Sequence, residues 1–330
     1  MSPDVSSSTN LAGWLNKVGV WSPSERPDWF ADDADTILHW REQPTGQHVE
    51  LGIAEVNLVG LLGELGATWS RWGQPLFPIG VLYDPFVERA LEPWSFGIYA
   101  GGQTILVGNP SGVTLAAEGG AHQSIKTPSI GVEQPGCTSY EPAFAAEVEW
   151  ILLHCISRLG RPDGTSSYLR LSTRPVRQEL ARIPEDAAAR ERRRLQVIAG
   201  AYTLRPAATP AVCIVAMGAL ATEAAEVADR LADLGVDAEV VCVTSPDLLS
   251  CRIAASKASS GVMAISSSHR CRGRNSARRS PGSCPVNTTS GVSVGTPRAG
   301  NSAGITRMSS GKSKPGGRGG NGPDRAIWSR

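Results

Sequence analysis

The stretch GQHVELGIAEVNL, residues 46–58, sets two carboxylates, Glu50 and Glu55, around a glycine and then enters an apolar run. Position alone allows two readings of Glu55. An acid in the first turn of a helix is favoured by the helix dipole and needs only water. An acid enclosed by the apolar run would instead be a group that holds and moves a proton. His122 closes a Gly-rich polar stretch, SGVTLAAEGGAHQS, with Glu118 four residues before it. An imidazole there can exchange a proton near neutral pH; the plain alternative, for both residues, is a solvated loop side chain. Tyr83 and Phe86 sit in LYDPF, where they could stack on a ring or simply pack in the core. His48 and Glu50 flank the opening motif without a role that their spacing assigns. His39, His154 and His269 have no motif around them.

Regular elements must hold these residues. Ile53, Val56, Leu58, Val59, Leu61, Leu62 and Leu65 predict a helix covered on most sides that stops near Gly66. LFPIGVLYDPF (76–86) predicts a short strand and a Pro-containing turn, and QTILVGNP (103–110) a buried parallel strand closed by Asn-Pro. RALEPWSFGIYAGG reads as helical, and SIGVEQPGCTSYEP contains another short strand. PAFAAEVEWILLHCISRL (142–159) is a strong helix, and TSSYLRLSTRP (165–175) a strand. Further on, AVCIVAMG, ALATEAAEVADRLADLG and VDAEVVCVTS form one strand–helix–strand unit. The alternation predicts an α/β fold, a parallel sheet flanked by helices. We divide the chain into a loop-rich, partly packed lead-in (1–45), a main α/β domain (46–175), a charged, partly helical linker (176–207), a truncated second α/β unit (208–249) and a tail (250–330). Two strands and one helix leave open sheet edges, so the second unit is expected to dock on the first domain, to pair with another chain or to be unstable.

The net charge of +1 conceals two unlike pieces. Residues 251–330 hold 14 Lys and Arg against one acid, Asp324, which leaves 18 basic and 30 acidic residues in 1–250. The tail also holds 16 Ser and 13 Gly and lacks sustained periodicity, so it is expected to be disordered. RCRGRNSARR and KSKPGGRGG could neutralise phosphates, but Trp328 is the tail's single aromatic, which argues against nucleic-acid binding. No apolar stretch approaches the roughly 20 residues of a membrane span. The N-terminus shows no secretory signal, and none of the seven cysteines forms a C-x-x-C pair, so reduced thiols in the cytoplasm are expected.

Taken together, GQHVELGIAEVN, LFPIGVLYDPF, GNPSGVTLAAEGGAHQS and SYLRLSTRP resemble the transketolase-like, thiamine-diphosphate-dependent family. The nearest likeness is to the homodimeric pyruvate dehydrogenase decarboxylating component. It runs from about residue 8 to residue 249, over the pyrimidine-binding domain and the start of the C-terminal domain. The resemblance implies that Glu55 binds the cofactor's aminopyrimidine and is catalytic. It implies that His122 faces the substrate, that Glu118 orients the loop or substrate, and that Tyr83 and Phe86 pack on the pyrimidine ring. It implies decarboxylation of pyruvate and transfer of the two-carbon unit to a lipoyl group; the alternatives are ketol transfer between sugar phosphates and a non-catalytic gene fragment. The G-D-G motif that holds the family's diphosphate and Mg2+ does not occur in this sequence. The resemblance therefore implies a shared site. A diphosphate-binding domain or subunit acting in trans would supply Mg2+, with a dimer-type interface and, as a further partner, a lipoyl-bearing acyltransferase. Likeness stops abruptly near Leu249, and the Arg/Ser/Gly/Pro-rich tail has the composition of an out-of-frame reading of GC-rich DNA; a genuine basic tail is the rival.

Overall fold

The lead-in carries more order than its Trp- and Pro-rich composition implies. It holds a helix, α1 (Ala12–Val18), and two short strands, β1 (Val20–Trp21) and β2 (Glu42–Gln43), paired in parallel. These are features of a computed structural model that describes residues 1–28, 31–33, 35, 37–111, 114, 122 and 126–250. Residues 251–330, read above as a disordered or frameshifted tail, lie outside the described residues, and so does Glu118.

The apolar run after Glu55 forms α2 (Glu55–Gly66), followed by a single turn, α3 (Thr68–Arg71). Its cover is less complete than the sequence predicts. Leu58, Val59 and Leu62 are fully buried, but Ile53 just before the helix and Val56 in its first turn stay 78% and 49% exposed. The chain continues through β3 (Ile79–Leu82), a 3-10 turn over Asp84–Ala90, α4 (Leu91–Tyr99) and β4 (Ile105–Gly108). Then come α5 (Thr127–Glu133), β5 (Cys137–Tyr140), α6 (Ala145–Ser157) and β6 (Ser166–Arg170). The four strands β3 to β6 make one all-parallel sheet in the order β3-β4-β6-β5.

Both faces of that sheet are covered, which is why β4 reads as an unbroken apolar run. Leu106 faces one core with Leu58, Val59 and Leu62 of α2, Trp94 of α4 and Ile130 of α5. Ile105 and Val107 face a second core with Trp150, Ile151 and Cys155 of α6. Side chains of this size contribute about 1.5–3 kcal/mol each on full burial. Helices α2 and α4 cross at a glycine pair: a Cβ on Gly63 would lie 2.9 Å from the Gly97 Cα.

The segment 176–207 holds the helix its sequence suggests, α7 (Ala187–Ala199), and also a strand that it does not, β7 (Ala201–Arg205). Asp186 caps α7 by accepting from the Ala189 amide at 2.7 Å, and Gly200, at φ 112°, ends it. The arginine run of α7 reads in sequence as solvated charge, yet Val197 on the same helix is fully buried. β8 (Val212–Met217), α8 (Ala221–Asp233) and β9 (Ala238–Val243) complete a second sheet in the order β7-β9-β8, with β7 antiparallel and β8 parallel to β9. The second unit therefore has three strands rather than two. It docks on the first domain through a shared apolar core, which leaves β8 at an open edge. Leu204, Ala224, Ala228, Val240 and Cys242 share a core with Trp150 and Ile151. The Glu141 amide donates to Thr244 O at 2.8 Å, and the Tyr202 hydroxyl donates to the buried Glu147 carboxylate of α6. Among the described residues no helix is long and apolar enough to cross a membrane.

Candidate cofactor-ring site

Ligand sites of parallel α/β sheets form beyond the carboxyl ends of the strands. Here the end of β3 leads into Tyr83 and the 3-10 turn, and Pro85 near the start of that turn fixes its entry. The turn presents Phe86 and Arg89, with Tyr83 just before it. Tyr83 and Phe86 meet edge to face with ring centroids 5.2 Å apart. His122 joins both, its ring centroid 5.7 Å from Tyr83 and 5.6 Å from Phe86, each in a T-shaped contact. Val5 of the lead-in packs against Tyr83 and Phe86 and closes the group on one side.

Glu55 opens α2, where the unpaired amides of a first turn favour a carboxylate. It is nevertheless only 7% exposed, so solvation does not explain it. Arg89 links it to the aromatic group. Its guanidinium lies over the Phe86 ring at 3.8 Å from the centroid, and Nη1 is 3.6 Å from Glu55 Oε1. The structure thus gathers Tyr83, Phe86 and His122 in direct contact and reaches Glu55 through Arg89. Arg89 and Val5 escape sequence reading. A cation after an aromatic in DPFVER has no periodic signature, and Val5 arrives from a segment far away in the chain.

Glu50 has a separate, structural setting. Its carboxylate accepts from Ser2 Oγ at 2.7 Å and from the Asp4, Leu51 and Gly52 amides at 2.5, 3.0 and 3.0 Å. Ser2 Oγ also meets His48 Nε2 at 2.8 Å. Burial opposes ionisation of Glu50, but hydrogen bonds from His48, Ser2 and the Asp4 and Gly52 amides outweigh it and hold the carboxyl below its ordinary value. Every acceptor position is used internally. This network fastens the lead-in beside the α2 entry and offers no free group for chemistry.

Below the aromatic group lies a buried polar cluster. Asp84, fully buried, accepts from Tyr168 Oη and from Thr127 Oγ1, both at 2.7 Å. Arg170 Nη2 lies 3.5 Å from Asp84, and Arg170 Nη1 pairs with Glu141. Burial and the Asp84 carboxylate push the Tyr168 phenol well above its ordinary range, so Tyr168 keeps its proton and remains a donor. Burial likewise raises Glu141, against the pull of Arg170 and with the help of Asp84, whereas the two acids together outweigh burial and raise Arg170. One guanidinium serving two carboxylates thus holds its own charge, while neither burial nor Asp84 lets Glu141 ionise as readily as a free carboxyl. Among the described residues no group of three His, Cys, Asp or Glu side chains is placed to hold a metal ion.

This parallel sheet, with helices on both faces, is of the transketolase-like class of folds: transketolase from Pichia stipitis matches with a TM-score of 0.57 at 19% identity, over 76% of this chain and 32% of that chain. Transketolase from Leishmania mexicana matches with a TM-score of 0.56 at 18% identity, over the same shares. Within the class, a family model for the middle domain of the pyruvate dehydrogenase E1 component matches residues 1–172, and the chain belongs to that family. The pyruvate dehydrogenase E1 component of Mycolicibacterium smegmatis is 25% identical over 254 residues, 74% of this chain and 26% of that protein. That of Escherichia coli is 25% identical over 242 residues, 71% of this chain and 26% of that protein. A 6-deoxy-6-sulfo-D-fructose transketolase subunit from a Clostridium species is 28% identical over 212 residues, 64% of this chain and 59% of that protein. The match thus spans about a quarter of the length of these pyruvate dehydrogenase relatives.

Proposed function

We propose that residues 46–175 form the pyrimidine-binding half of a thiamine-diphosphate site in a pyruvate dehydrogenase component, and that another polypeptide supplies the diphosphate half. The observation that carries the reading is Glu55, a buried carboxylate at the start of α2, joined through Arg89 to Phe86 of the aromatic group. The donor set fits a flat aminopyrimidine: an aromatic wall for its faces and one carboxylate for a ring nitrogen. Thiamine diphosphate, when bound, supplies the electron sink that lets a 2-oxo acid lose carbon dioxide. Glu55 would hold the aminopyrimidine by a proton shared with its ring nitrogen. Tyr83, Phe86 and Val5 would exclude water from that exchange. His122, at the exposed edge of the group, would hold or release a proton toward the substrate.

The partner in trans rests on the sequence: the G-D-G motif that holds the family's diphosphate and Mg2+ does not occur in it, so both would come to rest on the partner. The exposed Ile53 and Val56 beside Glu55 support a partner face of dimer type there. A lipoyl-bearing acyltransferase would take the two-carbon unit. A second reading, ketol transfer between sugar phosphates, is favoured by the Clostridium relative, which is itself a transketolase subunit.

Co-expression with a G-D-G-bearing polypeptide, followed by titration with thiamine diphosphate and Mg2+, tests the half-site. Binding is expected from the pair and not from this chain alone; tight binding by the isolated chain would overturn the shared site. Pyruvate decarboxylation against sugar-phosphate ketol transfer, assayed on the pair, then chooses between the two readings.

A further inference from the structure

We infer that Asp84 is a positioning residue, acting with Thr127 to hold the Tyr83–Phe86 wall and His122 in register. Asp84 is the first residue of the 3-10 turn, directly after Tyr83 and two residues before Phe86. Its side chain is fully buried, where no water competes for it. One oxygen accepts from Tyr168 Oη at 2.7 Å and fixes the turn to β6. The other accepts from Thr127 Oγ1 at 2.7 Å and fixes the same turn to the start of α5. Thr127 lies five residues after His122 in the chain. A single carboxylate therefore ties the turn that carries Tyr83 and Phe86 to the start of α5, five residues beyond His122.

The backbone is cut to admit this carboxylate. Gly108 ends β4 beneath it, and a Cβ there would lie 2.1 Å from Asp84 Oδ1 and 2.7 Å from Tyr168 Oη. Asp84 in the core would be costly without partners, and these hydrogen bonds with the nearby Arg170 satisfy it. An apolar residue would fill the space without linking the turn to α5, so the acid is explained by what it fastens. The inference rests on the reading of Tyr83, Phe86 and His122 as one site.

The test is made on the full chain without cofactor, by NMR of the His122 imidazole, assigned through loss of its signals in His122→Gln. The two T-shaped ring contacts displace those signals, so they report where His122 sits. Thr127→Val, which keeps shape and removes the hydroxyl, is expected to move them toward the position of a free imidazole. Thr127→Ser is expected to restore them, while the indole signal of Trp150, in the other core, stays in place in both. Should Thr127→Val not fold, Asp84→Asn is read in the same way. Unmoved His122 signals, or a Trp150 signal that moves with them, would overturn the inference and leave Asp84 as a core residue only. Failure of the pair to bind thiamine diphosphate would count against the proposed function without touching this result.

Discussion

At the scale of single residues, the same carboxylate chemistry is put to three uses within one domain. Glu50 is saturated with donors and ionised, Glu141 shares a guanidinium and resists ionisation, and Glu55 is buried with one long contact to Arg89. That contact is weak. Arg89 is 56% exposed at the side chain, and pairs screened in this way are worth about 0–1 kcal/mol. Glu55→Gln should therefore change stability by no more than about 1 kcal/mol, checked by urea unfolding, while turnover by the reconstituted pair is lost. Near-normal turnover would remove Glu55 from its role. Glu141 yields a pH prediction. Its folded pKa lies above the ordinary 4.5, so between the two values the native state binds more protons than the unfolded chain. The stability it contributes is then full below the unfolded value and is lost as pH rises through the folded one. The melting temperature of the wild type minus that of Glu141→Gln should accordingly grow more positive as pH falls toward 4.5. A difference that shrinks on acidification would show the ion pair with Arg170 to dominate instead.

At the scale of elements, α2 decides how the site is mounted, and two of its glycines answer to different physics. Gly60 faces open space, so Gly60→Ala should gain about 0.5–1 kcal/mol from helix propensity alone. Gly63 abuts Gly97 of α4, so Gly63→Val must push the helices apart and should cost about 1–3 kcal/mol. Thermal melting of both variants checks the pair of opposite signs, and two losses would mean that α2 tolerates no added bulk on either side. How far such elements are legible in sequence depends on what forms them. The apolar density of 53–65 gives α2 directly, and the uninterrupted ILV of β4 gives a strand buried on both faces. The helical part of 176–207 is read, but β7 hides beyond the arginines of ARERRRL, because a charge run carries no record of the buried Val197 or of Tyr202 and Leu204 after it. The site divides in the same way. Glu55, Tyr83, Phe86 and His122 are marked by motif, whereas Val5, Asp84 and Arg89 take their places only through contacts between distant segments, which no local pattern encodes.

At the scale of the whole molecule, the second sheet presents a surface that the first does not. β8, VCIVAM, has the composition of a central strand buried on both faces, yet it stands at the edge of its sheet. Val215 is 64% exposed and Val212 41% exposed, and among the described residues no strand pairs with the outer side of β8. The strand is six residues long, pairs with β9 in unbroken register, and carries neither charge nor proline. Edges of proteins that stay apart are blunted by such features, so this one invites pairing with another chain. The isolated protein should therefore associate as its concentration rises, with reductant present to keep the exposed Cys213 out of the result. Val215→Lys places a charge on the open edge and removes no buried contact. Sedimentation velocity should show its association reduced, and its melting temperature should match that of the wild type. Association unchanged by the lysine would mean that chains meet elsewhere, with the exposed Ile53 and Val56 beside Glu55 as the next surface to alter.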